Sequence, residues 1–279
     1  VYINKSTLTD FSNSGTIKGE KGIQIGISTL TNFSNSGVII SSKGDNNTIA
    51  LQNTKIQTFT NTGTIEKTNN GGSGVAIENN TALGTFINQG IINHKGNGPG
   101  VYVGSKATIE NFENKGTIES KQKDGIEVNN STITNFKNSG TIQGGWSGMF
   151  INGAIIQTLI NEGSIISKSS DDTDAGINLQ GGGTIATIIN KGTIRSNAFG
   201  IGVVNGKFGK LIMQDGAVVV GVKYSGIIVG LNQTLGELEI SGANTKISGG
   251  QNGIFLSGNS KTQKITIKDG ARIEGGNNG

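Results

Sequence analysis

The sequence contains no cysteine, so disulfide bonds, thiolate metal sites and thiol catalysis are all excluded. His94 is the only histidine, so a cluster of histidine metal ligands cannot form. No apolar run reaches the roughly 18 residues of a transmembrane helix. The absence of cysteine suits a protein that crosses an oxidising compartment before it folds.

Apolar, aromatic and charged residues are also scarce. Only 33% of the residues are apolar and 5% are aromatic, while 47 are glycines, which argues against an ordinary globule. Disorder usually combines high net charge with few β-branched residues, whereas this chain has a net charge of +4 and many isoleucines and valines. Arginine occurs only at Arg195 and Arg272, and no basic cluster indicates nucleic acid as a partner.

The chain is rich in one repeated pattern. The segments NFSNSGVII at 32–40, DFSNSGTIKG at 10–19 and NFKNSGTIQG at 135–144 share a phenylalanine, then Asn-x-Gly, then β-branched residues. Alignment on that glycine gives eleven copies, the last three diverged, at Gly15, Gly37, Gly63, Gly90, Gly116, Gly140, Gly163, Gly192, Gly216, Gly242 and Gly270.

Each copy contains three short motifs. Motif 1 is Leu/Ile-x-x-Phe/Leu, motif 2 is the Thr-Ile pair after the repeat glycine, and motif 3 is Gly-apolar-x-apolar. Such short alternations, bounded by glycine and asparagine, predict half-buried strands. The sequence therefore predicts an all-β fold, a right-handed parallel β-helix (solenoid) of about 11 coils of roughly 25 residues, with three short strands per coil. Propeller blades need longer repeats, and a helical solenoid needs a 3.6-residue period.

Equivalent residues of stacked coils should lie above one another. We expect an asparagine ladder with a structural role, formed by Asn13, Asn35, Asn61, Asn88, Asn114, Asn138, Asn161 and Asn190. The phenylalanines of motif 1 should stack inside, and the repeat glycine should supply a positive φ at a corner. Asn-x-Gly changes to Asp/Ser-Gly-Ala from Gly216 onward. The prediction is one β-helix over 1–279, with ladder coils over 1–204 and diverged coils over 205–279.

The loop between motif 2 and motif 3 is the most variable part of the repeat. Insertions in repeat proteins often form the binding face, so this edge is a candidate surface for an anionic glycan or a host protein. Ordinary solvated loops are the alternative. The candidate residues on this edge are Lys95, Lys121, Lys123, Trp146 and Tyr224.

The middle residue of motif 3 should point outward from its strand. At four copies this residue is apolar or aromatic, at Tyr102, Phe150, Ile228 and Phe255. Such a stripe on one face predicts a contact surface, unless the long edge loops fold over it.

Residues with catalytic or ligand-binding chemistry are few. His94 is expected at the surface of a loop, and Asp171, Asp172 and Asp174 fit either a weak Ca²⁺ site or a solvated turn. Neighbouring outward carboxylates, which a polysaccharide-acting β-helix enzyme needs, are hard to find. No catalytic, cofactor or metal site is predicted. The segment EVNNS at 127–131 fits a bacterial glycosylation pattern at Asn129.

Copies such as FSNSGTIKGEKGIQI at 11–25 and MQDGAVVVGVKYSGIIV at 213–229 resemble the β-helical passenger domains of bacterial autotransporters, the type V secretion family, which includes adhesins and vacuolating-cytotoxin-like members. The resemblance covers the whole chain. It implies an extracellular protein on the bacterial outer membrane, held there only by the family's C-terminal barrel, which this segment does not include. Val1 and Gly279 both interrupt a repeat, as expected for a fragment.

The resemblance implies adhesion to host cells or bacterial self-association. The partner would be a host-cell surface protein, a glycan or another copy of the chain, with no nucleic acid. The expected function is non-enzymatic. Two alternatives stay open: a stalk that presents a protease or toxin domain, and a polysaccharide-acting β-helix enzyme.

Overall fold

A computed structural model describes all residues, 1–279, as 33 strands and no helix. We number the three sheets by the motif that forms them. Sheet 1 contains β2 (Thr7–Asn13), β5 (Thr29–Asn35), β8 (Lys55–Asn61), β11 (Ala82–Asn88), β14 (Thr108–Asn114), β17 (Thr132–Asn138), β20 (Ile155–Asn161), β23 (Gly183–Asn190), β26 (Gly206–Met213), β29 (Thr234–Ser241) and β32 (Lys261–Lys268).

Sheet 2 contains β3 (Thr16–Gly19), β6 (Val38–Ser41), β9 (Thr64–Lys67), β12 (Ile91–His94), β15 (Thr117–Ser120), β18 (Thr141–Gly144), β21 (Ser164–Ser167), β24 (Thr193–Ser196), β27 (Val218–Gly221), β30 (Lys246–Gly249) and β33 (Arg272–Gly275). Sheet 3 contains β1 (Tyr2–Asn4), β4 (Ile23–Gly26), β7 (Ile49–Gln52), β10 (Val75–Glu78), β13 (Val101–Val103), β16 (Ile126–Asn129), β19 (Met149–Asn152), β22 (Ala175–Gln180), β25 (Phe199–Val203), β28 (Ser225–Val229) and β31 (Asn252–Leu256).

Each coil contributes one strand to each sheet, in the order sheet 3, sheet 1, sheet 2, and every strand pairs in parallel with its counterpart in the next coil. The register offset varies from 22 residues between Asn13 and Asn35 to 29 between Asn161 and Asn190. The predicted all-β parallel solenoid of about 11 coils, each of about 26 residues, is confirmed. The right-handedness of the solenoid stays a prediction, which rests on the rule that parallel crossover connections are right-handed.

The interior is one continuous apolar core of 50 buried residues. Six phenylalanines of motif 1 stack face to face along the axis, with ring centroids 4.5–5.0 Å apart, at Phe11, Phe33, Phe59, Phe86, Phe112 and Phe136. Leu159 takes the next place in register, followed by Ile188. The column holds the coils together because each ring fills the space between its neighbours.

The asparagine ladder lies in the corner after sheet 1. The Nδ2 of Asn114 donates to the Oδ1 of Asn138 at 2.8 Å and also to two backbone carbonyls, those of Gly116 and Thr141. The same side-chain bond joins each successive pair from Asn13 to Asn190, at 2.7–2.8 Å. Met213 follows Asn190 in register, so the ladder ends where the repeat diverges.

The role predicted for the repeat glycine is wrong for the ladder coils. None of the eight repeat glycines of the ladder coils has a positive φ, whereas the diverged copies Gly216, Gly242 and Gly270 do. A β-carbon on Gly37 would lie 2.0 Å from the carbonyl oxygen of Gly15, so the requirement is close approach of stacked coils. The left-handed corner lies instead before sheet 1, for example at Ile27 and Asn53.

His94 is not at the surface, as the sequence had suggested, but fully buried at the end of β12. Strand alternation explains this, because Ile92 faces inward, Asn93 outward and His94 inward again. Its Nδ1 accepts a hydrogen bond from the Gly96 N–H at 3.0 Å, and its Nε2 lies 3.2 Å from the Gly71 oxygen. The neutral ring therefore carries its proton on Nε2.

Lys67 is the neighbour of His94 in the adjacent coil and is also fully buried. Its ammonium donates to the carbonyl oxygen of Lys43. Burial lowers the pKa of Lys67 and of His94, and the nearby ammonium of Lys67 lowers the pKa of His94 further. Both side chains therefore lie inside the coil.

Candidate functional site

The outer face of sheet 3 does not carry the predicted apolar stripe. Tyr102, Glu127 and Phe150 lie on three successive strands, so a charged residue separates the two aromatic residues. Edge loops cover other positions of this face. The Nδ2 of Asn178, for example, donates to the Thr173 oxygen of a long loop at 2.8 Å. The Nε2 of Gln24 likewise donates a hydrogen bond to the backbone oxygen of Asn47 at 3.1 Å.

The remaining apolar residues of the stripe lie further along the rod. Ile228 packs with Tyr224 against a small buried cluster that contains Phe199, and the Tyr224 and Phe199 rings stack with centroids 5.0 Å apart. Phe255 follows Ile228 in register and stays 43% exposed. Tyr224 is therefore mainly a packing residue, whereas Phe255 is accessible.

A polar groove of about 460 Å³ lies between the strands of sheet 3 and the edge loops beside them. This volume lies within the range of about 300–1,000 Å³ that is typical of ligand pockets. We define the groove by its side chains Gln24, Gln52, Glu78, Tyr102, Lys123 and Glu127, together with the loop segments 45–47 and 72–73 and Pro99. The strands that supply these residues belong to coils two to six.

Tyr102 lies in the middle of the groove. Its ring covers Gly104, where a β-carbon would lie 2.3 Å from the ring, so only glycine lets the ring lie this close to the backbone. Burial raises the pKa of Tyr102, and the negative charges of Glu127 and Glu78 raise it further. The ring is half-buried, which leaves it in reach of a ligand.

Glu127, next to Tyr102, is held by two neighbours. Its Oε1 accepts a hydrogen bond from the Nδ2 of Asn129 at 2.6 Å. The Nζ of Lys123 lies 3.1 Å from Oε2, but the angles fall outside hydrogen-bond geometry, so this contact is an ion pair and Oε2 accepts no hydrogen bond. Asn129, whose sequence context matches a glycosylation pattern, thus uses its amide nitrogen within the groove wall.

Lys123 connects the groove to the exposed edge. Its Nζ lies 5.7 Å from the centroid of the Trp146 ring, within reach of a cation–π contact. Trp146 is 49% exposed. Of the other predicted edge residues, Lys121 is exposed, and Lys95 pairs with Glu66 at 2.9 Å in the neighbourhood of sheet 2. The structure thus brings Tyr102, Lys123 and Trp146 together and leaves Lys95 elsewhere.

Asp124 supports the groove wall from within. It is almost fully buried, and its Oδ1 accepts a hydrogen bond from the Ser147 N–H at 2.9 Å. Burial raises the pKa of Asp124 to about 7. The charges of Glu127 and Asp174 act in the same direction, while the Ser147 bond and Lys123 oppose them.

Sequence reasoning missed the carboxylates that flank Tyr102. Glu78 lies on coil four and Glu127 on coil six, on either side of the tyrosine in coil five. The sequence offers little sign that these two carboxylates form a pair. Glu78 lies just after motif 3 rather than within it, and neither coil contains a second glutamate. Asp171, Asp172 and Asp174 do not converge, since no group of three acidic or histidine side chains has a geometry that could hold a metal ion.

No protein-family model, curated protein or solved structure matches the chain significantly. The structure also contains no helix that is long and apolar enough to cross a membrane.

Proposed function

We propose that the chain is a non-enzymatic binding segment of a surface-exposed bacterial autotransporter passenger, which mediates adhesion to host cells. The solenoid of stacked Asn-x-Gly repeats and the lack of cysteine support this assignment, because both are features of the family that the sequence resembles.

One observation carries the binding function. Over most of the rod the repeat is uniform, but in coils five to seven an exposed Trp146, the Lys123–Glu127 ion pair and Tyr102 occur together beside a groove. Exposed aromatic side chains next to charged residues are characteristic of binding surfaces. The carboxylates of Glu78 and Glu127 each accept a hydrogen bond from a side-chain amide at 2.6 Å, and this bond holds each carboxylate in one orientation beside the groove.

Adhesion is tested with beads that carry the purified chain, applied to an epithelial monolayer and counted after washing. We expect the chain to retain more beads than an albumin coat, and Trp146→Ser to reduce retention. Val222→Ser is the matched control, since Val222 is 44% exposed in the equivalent loop of a later coil. Equal retention of the chain and albumin would contradict the proposal.

Self-association is the second candidate, and the 43% exposure of Phe255 beside Ile228 favours it. It predicts dimers that form with increasing concentration and weaken in Phe255→Ser or in Tyr102→Ser combined with Phe150→Ser. Light scattering that shows a monomer at high concentration would rule it out.

A further inference from the structure

We propose that the groove on sheet 3 binds a neutral, polyhydroxylated glycan chain that lies along the solenoid axis. This inference rests on the proposed binding function and specifies the chemical class of its ligand.

The spacing of the groove residues fits a sugar polymer. Gln52, Glu78, Tyr102 and Glu127 come from coils three, four, five and six in succession. Neighbouring strands of a sheet are about 4.8 Å apart, which is close to the length of one pyranose unit. A glycan along the axis would therefore meet a new side chain at each coil, roughly once per sugar.

The polar groups of the groove are positioned to receive hydroxyl donors. Gln52 Nε2 donates to Glu78 Oε1 at 2.6 Å, and Asn129 Nδ2 donates to Glu127 Oε1 at 2.6 Å, which fixes the orientation of both carboxylates. Glu127 Oε2 is buried and accepts no hydrogen bond. That oxygen is paired with Lys123, so the acceptor open to a sugar hydroxyl is Glu78, which is half-buried and already held in one orientation by Gln52.

Tyr102 supplies the apolar part of the recognition. The phenol end of its ring lies over Gly104, and the half-buried side chain belongs to the strand between those of Glu78 and Glu127. Aromatic rings contribute a large contact area at low conformational cost, and a pyranose presents a flat C–H face to such a ring.

The charge of the groove decides between classes of glycan. Its lining contains the carboxylates of Asp45, Glu78 and Glu127 against the single ammonium of Lys123, which is already paired. A sulfated or sialylated chain would be repelled. A basic peptide would gain charge attraction, but the carboxylates already hold amide and ammonium donors, so hydroxyl groups suit the remaining acceptors better.

The test is a panel of immobilised oligosaccharides exposed to the labelled full chain. The panel comprises neutral hexose and N-acetylhexosamine oligomers, sulfated and sialylated oligomers, and oligolysine. We expect retention on neutral oligomers alone. Tyr102→Ala and Glu78→Gln should each weaken that binding by about tenfold or more, the loss expected for one charge-assisted hydrogen bond or one central contact. Glu110→Gln, an exposed carboxylate on sheet 1, is the control and should bind as the unmodified chain does.

Three results would overturn the inference: no binding to any neutral oligomer, binding to sulfated oligomers or oligolysine in preference, or equal losses in Glu78→Gln and Glu110→Gln. Thermal unfolding of every variant separates lost binding from lost folding. If the beads still adhere to cells while the panel stays negative, the adhesive function stands and only the ligand class is wrong.

Discussion

The carbonyl oxygen of Gly15 lies 2.0 Å from the point that a β-carbon on Gly37 would occupy. The same approach recurs from coil to coil, as between Gly63 and Gly90. Stacking at this corner therefore requires glycine for lack of space, since φ is not positive there.

Gly37→Ala should destabilise the chain by about 1–3 kcal/mol, because the new methyl group forces two coils apart. Gly15→Ala is the matched control, since nothing lies within 4 Å of its β-carbon position. That variant should be neutral or slightly stabilising, through reduced freedom of the unfolded chain. Urea unfolding measures both, and similar losses in the two variants would disprove the crowding argument.

Phe86→Ala should cost about 3–5 kcal/mol, since it opens a cavity between two stacked rings whose centroids lie 4.8 and 4.5 Å away. Phe86→Leu should cost less, because Leu159 occupies the same place in a later coil. The free energies of unfolding of the two variants provide the check. A leucine variant as unstable as the alanine variant would mean that ring stacking, rather than filled volume, holds the column.

Asp124→Asn should stabilise the chain at pH 8 and have little effect near pH 4. The pKa of Asp124 is raised to about 7 in the folded state against about 4 when unfolded, so the folded state binds the extra proton between these values. Stability from this group is complete below about pH 4 and is lost as the pH rises to about 7. The gain at pH 8 should be on the order of a few kcal/mol. Melting temperatures across this range test the prediction, and a gain that does not depend on pH would refute it.

His94→Ser should flatten the loss of stability on acidification. The pKa of His94 is lowered in the folded state, so the unfolded chain binds more protons and stability falls as the pH drops below about 6.5. Burial and the ammonium of Lys67 lower the pKa of His94, while its hydrogen bonds with the backbone at Gly71 and Gly96 oppose them. Serine is the residue in register in the next coil, Ser120. Melting curves at pH 7.5 and 5.5 provide the comparison, and an unchanged difference between them would show that His94 does not titrate in this range.

The fold was predictable because the repeat encodes it directly. Phe33 and Asn35 recur at fixed distances from Gly37, and equivalent residues of a solenoid must stack. The ladder followed from the hydrogen-bonding capacity of the asparagine side chain. The reason for the repeat glycine was not predictable in the same way. A positive φ and a lack of space for a β-carbon both select glycine, and the sequence does not distinguish them.

The site was only partly predictable. Tyr102, Lys123 and Trp146 could be selected because they break the repeat, but the sequence does not show which loops fold over sheet 3. One such loop covers Asn178, whereas the loop segments 45–47 and 72–73 form part of the groove lining. His94 was misplaced because the boundary between strand and loop is set by inward packing rather than by the local sequence.

Ligand binding should centre on the groove on sheet 3, beside Trp146. The most direct measurement is amide hydrogen exchange of the full chain with and without a neutral oligosaccharide retained in the panel. We predict slower exchange in segments 72–78, 99–104 and 123–129, with no change on the outer face of sheet 1. Protection on sheet 1 or at Phe255, or no protection in these three segments, would contradict the account.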